Sequence, residues 1–181
     1  MRYIFLPGNS SHNKEWIDSL AKAFTQGDKT IIYYNHWDIE DGFIDFDFEL
    51  RKIKELNITE ECVAICKSAG CVLSIKAYKK TYFNIDKFIF IGFPYYWARN
   101  RGEDLEELLA SIDRPTLFIQ KPKDPAIPFT ELKEIAEKRN MKASFIEYAR
   151  VGEVCDNHNY DDIKFLQAEI EAFTENTRTN N

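Results

Sequence analysis

The chain has 181 residues, 44% of them apolar and 14% aromatic; a chain of that length buries roughly 70% of its unfolded surface and needs no disulfide framework or metal staple. Thirty acidic against 24 basic residues leave a formal net charge of −6, which argues against a general nucleic-acid or anionic-membrane binder. The opening MRYIFLPG carries too short an apolar run before Pro7 and Gly8 for a signal-peptide core or a spanning helix, so a cytoplasmic protein with no membrane insertion is expected.

In chain order, Arg2 to Leu6 reads as a strand, and Asn13 to Phe24 as a helix with Trp16, Ile17, Leu20 and Phe24 on one face and Ser11 or Asn13 as its cap. A second strand is expected over Thr30 to Tyr34. From Phe43 the pattern alternates before Leu50, Ile53 and Leu56 take up helical spacing, which predicts a helix from about Phe46. Cys62 to Cys66 is the third strand, and Ala69 to Tyr78, apolar almost all round, should be the most buried helix. Phe88 to Gly92, Pro115 to Gln120 and Ala143 to Tyr148 are further strands. Asp104 to Ile112, Pro128 to Arg139 and Asp161 to Phe173 are further helices, with acidic residues early in each, as the helix dipole prefers. The four cysteines, Cys62, Cys66, Cys71 and Cys155, include three inside one apolar segment, where they read as small buried hydrophobes rather than an export-type disulfide set.

Continuous apolar strands alternating with helices predict a three-layer α/β/α domain over residues 1–173, built on a doubly wound, mainly parallel six-stranded sheet, with a frayed polar tail over 174–181. Helices on both faces require the winding to reverse once, most simply between the first and third strands. Ligands in such sheets sit beyond the carboxyl ends of the strands flanking the reversal, so the loops after Leu6 and Cys66 are where chemistry is sought.

After the third strand comes Cys66-Lys67-Ser68-Ala69-Gly70, a strand, a tight turn with serine at its apex, and a helix. Such a turn projects the hydroxyl above the sheet edge, with the Ala69 amide at a helix N-terminus able to donate to an oxyanion; the same pentapeptide also suits a serine that merely caps a helix. A nucleophilic serine needs a base and an orienting acid. Asp124 stands in the loop after the fifth strand and His158 in the loop after the sixth, both on the carboxyl edge. His12, in the loop after the first strand, has either a substrate contact or a capping role, and His36 reads as structural. Cys66 is a weaker candidate nucleophile, because as the last strand residue it should point away from the apex of the turn. No C-x-x-C or H-x-x-x-H pair suggests a metal site, and no glycine-rich phosphate loop suggests a nucleotide, so no cofactor is expected.

LPGNSSHN after the first strand, CKSAG at the turn, PTLFIQKPKDPAIP and DNHNY together resemble a small α/β-hydrolase over nearly the whole chain. The resemblance implies Ser68 as nucleophile, His158 as general base and acid, Asp124 as the orienting acid, and the backbone amides of Asn9 and Ala69 as the oxyanion hole. It implies cleavage of a small-molecule carboxylic ester, or of a thioester or amide, by a serine esterase without cofactor. The first two strands of larger relatives and their cap domain would be missing. Tyr95, Tyr96, Trp97 and Arg99, with Arg101, would then either wall a shallow pocket or simply cover the sheet end. Pro7, Cys66, Gln120, Lys121 and Asn157 depart from the family's usual residues. Two other readings stay open: an idle hydrolase fold serving as a binding module, and an acyltransferase using the same triad. Oligomeric state and substrate identity are left open.

Overall fold

The structure, a computed structural model, describes residues 1–25, 27–39, 42–150 and 154–176. The strands β1 (Arg2–Leu6), β2 (Asp28–Ile31), β3 (Glu61–Lys67), β4 (Asn84–Ile91), β5 (Thr116–Gln120) and β6 (Ala143–Glu147) alternate with helices α1 (Asn13–Ala23), α2 (Phe46–Glu55), α3 (Ala69–Lys79), α4 (Tyr95–Arg99), α5 (Leu105–Ala110), α6 (Phe129–Lys138) and α7 (Ile163–Asn176), and a 3-10 turn at Asn35–Asp38 links β2 to α2. All five strand pairings are parallel and the spatial order is β2-β1-β3-β4-β5-β6. The reversal falls between β1 and β3, as expected, and the register that pairs Leu6 with Cys66 brings the two following loops side by side.

Alternate strand residues feed two separate cores. Ile4, Leu6, Ala64, Cys66, Phe88, Phe90 and Phe118 pack with α2, α3, α5 and α6. Tyr3, Phe5, Val63, Ile65, Ile89, Ile91, Leu117 and Ile119 pack with α1 and α7. Both faces are therefore covered, which is why these strands read as unbroken apolar runs. In α3 the residues Ala69 to Ile75 and Ala77 are buried, which fits a helix lying against the centre of the sheet.

Three elements differ from expectation. The second strand pairs with β1 over Asp28–Ile31 rather than Thr30 to Tyr34; as an edge strand it needs no apolar run, and the chain turns away where the buried Tyr34 donates its hydroxyl to Pro7 O at 2.9 Å. The aromatic stretch after β4, read as a loop, contains the short helix α4. The last helix continues to Asn176, and Thr174, assigned to the polar tail, is buried with its hydroxyl donating to Glu171 O at 3.0 Å; residues 177–181 of that tail lie outside the described residues. Among the described residues no helix is long and apolar enough to cross a membrane.

Candidate active site

Ser68 stands between β3 and α3 with φ 50° and ψ −122°, a conformation that costs a non-glycine residue about 1–3 kcal/mol. Neighbouring bonds hold it there: Ser68 N–H donates to Ile91 O at 3.1 Å and Cys71 N–H donates to Ser68 O at 2.8 Å. Gly70 lets α3 approach so closely that a Cβ on it would lie 2.1 Å from Leu6 O. The first amides of a helix have no intrahelical acceptor, and Ala69 N–H stands at the start of α3. In that loop Asn9 is clamped from the β2–α2 side. Its carbonyl accepts from His36 Nε2 at 2.7 Å and Trp37 Nε1 at 2.8 Å, and its side-chain oxygen accepts from Ile44 N–H at 2.8 Å. A carbonyl only accepts, so His36 carries its proton on Nε2. His36, read as structural, thus fixes the peptide of a predicted oxyanion residue.

Asp124 follows β5, is 1% exposed, and accepts from three donors. Its Oδ1 lies 2.8 Å from His158 Nδ1 and takes the Ala126 N–H at 2.8 Å, while Oδ2 takes the Tyr160 hydroxyl at 2.6 Å. With carboxylate oxygens at 2.8 and 2.9 Å, Nδ1 of the imidazole is the protonated nitrogen, and in the neutral ring Nε2 keeps its lone pair. His158 Nε2 is buried and has no hydrogen-bond partner among the described residues. Burial and the Asp124 charge beside it push the Tyr160 phenol well above its ordinary range, so it stays a donor.

Ser68 and His158 line one cavity of about 580 Å³ together with Asn9, Ser10, His12, Asn13, Trp16, Lys67, Asn159 and Asp161. His12 is exposed there and exchanges a 2.9 Å hydrogen bond with Ser10 Oγ; it contributes no side-chain cap to α1. Tyr95, Tyr96, Trp97 and Arg99 are not among the lining residues. The Tyr95 hydroxyl donates to Glu106 and the Tyr96 hydroxyl to Glu131, Trp97 packs edge-on to Phe46, and Arg101 lies over the rings of Phe43 and Trp97. Arg99 is exposed at the end of α4. Tyr95, Tyr96 and Trp97 thus tie α4 to α5, α6 and α2.

No protein-family model and no curated protein matches the sequence. Solved structures do resemble it. A Bacillus cereus structure of an uncharacterized protein is 15% identical with a TM-score of 0.67, covering 96% of this chain and 60% of its own. A Pectobacterium atrosepticum structure described as a YdeN-like hydrolase is 17% identical with a TM-score of 0.69, covering 96% and 90%. The mouse alpha/beta hydrolase domain-containing protein 10 is 11% identical with a TM-score of 0.65, covering 97% and 90%. The chain has the α/β-hydrolase fold.

It is a small version of that fold, all parallel, with only α4 and α5 between β4 and β5. Its departures from the usual α/β-hydrolase residues have structural causes. Cys66 is fully buried in the core and burial pushes its thiol far up, which disqualifies it as a thiolate nucleophile. Gln120 bridges two loops, accepting from Phe93 N–H at 2.7 Å and donating to Ile127 O at 2.9 Å. Lys121, 2% exposed, donates its ammonium to Val154 O and to Asn157 Oδ1, at 2.7 and 2.9 Å, and so ties the histidine loop to the end of β5. Asn157 Oδ1 also accepts from Asn159 N–H at 3.0 Å, setting the chain on either side of His158.

Two further residues at this site escaped the sequence reading. Tyr160 connects the loops by accepting from Lys121 N–H at 3.0 Å while donating to Asp124. Gly92, at the end of β4 with φ +60°, leaves room for the imidazole: a Cβ there would lie 2.7 Å from the Tyr160 ring and 2.9 Å from His158 Cε1. Gly92→Ala is therefore expected to displace the His158 ring and to destabilise the fold by about 1–3 kcal/mol, as overpacking a tight site does. Turnover and the thermal midpoint should fall together in that variant, and unchanged values of both would show that the site yields freely.

Proposed function

We propose that the protein is a serine hydrolase that cleaves a carboxylic ester through an acyl-enzyme. The observation that carries this reading is the Asp124–His158 pair, with Nε2 left unpartnered on the wall of the cavity that also holds Ser68 in its strained turn. His158 Nε2 takes the proton of Ser68 as Oγ attacks the ester carbon. The amides of Ala69 and Asn9 receive the oxyanion, in a role where losing one donor commonly costs about 10²–10³ in kcat. As the tetrahedral intermediate collapses, the C–O bond to the leaving group breaks and the alkoxide takes the proton back from His158. Water, losing its proton to the same nitrogen, then attacks the acyl-enzyme and releases the acid.

Ser68 Oγ makes no hydrogen bond among the described residues and none to His158 Nε2; serine–histidine contacts in substrate-free sites are often long and tighten when substrate binds. The mouse and Pectobacterium structures, named as hydrolases, support hydrolysis as the reaction type. The test is mass spectrometry of protein quenched during turnover of 4-nitrophenyl acetate. One acetyl group on the peptide carrying Ser68 is expected, and turnover with acetyl on another residue contradicts the reading. Adding methanol to the same reaction separates hydrolysis from acyl transfer, with acetate as the dominant product if water is the natural acceptor.

A further inference from the structure

Lys67 stands directly before Ser68 and has no part in the reaction above. It is 7% exposed, it lines the Ser68 cavity, and its ammonium lies 4.5 Å from the centroid of the Trp16 ring. Trp16 is fixed in turn by its indole N–H, which donates to Tyr160 O at 2.6 Å. Among the described residues Lys67 has neither a hydrogen bond nor an ion pair. Lys121, the deeply buried lysine nearby, contrasts with it because two acceptors satisfy its ammonium. A buried ammonium with its donors unused is costly unless something pairs with it. The ring face of Trp16 supplies part of that pairing. The remainder faces the cavity.

The groups around Lys67 do not supply a counterion. Trp16 comes from α1. Asp161, before α7, lines the same cavity but is exposed and makes no ion pair with Lys67, so solvent screens it. Asp124, after β5, is committed to His158, Tyr160 and Ala126. Lys121, from the same loop, opposes the charge. Desolvation draws the Lys67 ammonium down to about 8, with Asp161 and then Asp124 pulling the other way, so at neutral pH the side chain remains mostly a cation. Lys67 and Ser68 line the same cavity of about 580 Å³, so a group paired with Lys67 and a carbonyl attacked by Ser68 fit within one small molecule.

We propose that the Ser68 cavity selects esters or amides whose substrate carries a free carboxylate, and that Lys67 is the ion-pair partner of that carboxylate. The proposal rests on Ser68 being the nucleophile. It names a binding role for a residue of the turn that the hydrolytic chemistry leaves unused.

The experiment compares kcat/KM for mono-4-nitrophenyl glutarate with that for 4-nitrophenyl pentanoate, a neutral acyl chain of the same length. Wild-type protein should favour the glutarate ester at least ten-fold at pH 7. That preference should decline as pH rises above about 8, because the ammonium is present below its pKa and lost above it, and kcat/KM follows the titration of the free protein. Lys67→Met should lower the glutarate-to-pentanoate ratio at least ten-fold, and Lys67→Arg should retain most of it. A wild-type ratio near one, or a ratio unmoved in a folded Lys67→Met variant, overturns the proposal. If Lys67→Met does not fold, Lys67→Arg and the pH dependence of the wild-type ratio decide it. Calorimetric titration of glutarate into wild-type protein and the Lys67 variants reads the same site without turnover. Glutarate binding that Lys67→Met abolishes supports the carboxylate site even if no ester is cleaved, in which case only the nucleophile assignment falls. Cleavage of the neutral ester with no glutarate binding overturns the carboxylate site and leaves the hydrolase reading in place.

Discussion

Ser68→Ala is expected to lower kcat for 4-nitrophenyl acetate by about 10⁶, the scale of loss when the nucleophile of a serine triad is removed. Nothing else described at the site can replace it. Cys66 is fully buried with its thiol pushed far up, and Ser10 points its hydroxyl into a bond with His12 rather than towards His158. The φ of 50° at Ser68 is maintained by backbone bonds to Ile91 and Cys71, and alanine makes both of these equally well. The variant should therefore keep the wild-type fold and thermal midpoint, so that a loss of rate reads as lost chemistry. Steady-state turnover with the far-ultraviolet spectrum as control is the measurement. A variant retaining a tenth or more of wild-type activity would move the nucleophile elsewhere.

Asp124→Asn should cost about 10⁴ in kcat, as it does when the acid of a triad loses its second acceptor and the histidine tautomer changes. The local network makes the effect severe. Asp124 offers acceptors to His158 Nδ1, Ala126 N–H and the Tyr160 hydroxyl at once. An asparagine amide has one oxygen for these donors. If that oxygen faces Ala126 and His158, its NH₂ confronts Tyr160, whose oxygen already accepts from Lys121 N–H at 3.0 Å. If it is flipped, the NH₂ confronts the imidazole and stabilises the tautomer whose Nε2 carries the proton and cannot act as base. Both orientations impair the base. Stopped-flow or steady-state kinetics of the purified variant checks the prediction, and a loss of less than ten-fold would mean that His158 is oriented by something other than Asp124.

Much of this site was legible in sequence because its key residues follow strands. Ser68 could be placed because strand, turn and buried helix are contiguous, and Asp124 and His158 because each stands in a loop at the carboxyl edge. What stayed hidden depends on approaches between segments distant in the chain. Gly92 matters because the ring of His158, 66 residues further on by sequence number, passes against it. Tyr160 had no role legible in DNHNY, because its hydroxyl joins Lys121 to Asp124, both from the loop after β5. Lys67 had no role legible in the turn itself, because the ring its ammonium lies over belongs to Trp16 from α1. The aromatic run after β4 left two roles open for Tyr95 to Trp97, because partners distant in the chain decide between them: the chain coils into α4 and those side chains meet Glu106, Glu131 and Phe46. The edge strand β2 was misplaced because apolar Ile32 and Tyr34 serve the core after the pairing has ended.

The departures at Gln120, Lys121 and Asn157 carry a related lesson. They depart from the residues usual in the resembled family, and in the fold they form hydrogen bonds that hold the histidine loop and the acid loop in place. Larger polar residues thus replace close packing with a buried network, which holds position only while every member is satisfied.

The most direct test of the central claim, that Ser68 is a nucleophile activated by His158, is labelling with a fluorophosphonate probe followed by peptide mapping of wild-type, Ser68→Ala and His158→Ala proteins. The expected result is a single phosphonylated site at Ser68 in the wild type, with no label in Ser68→Ala and labelling slowed at least a hundred-fold in His158→Ala. An unlabelled wild-type protein under conditions that label a control serine hydrolase, or a label that persists in Ser68→Ala, would contradict it.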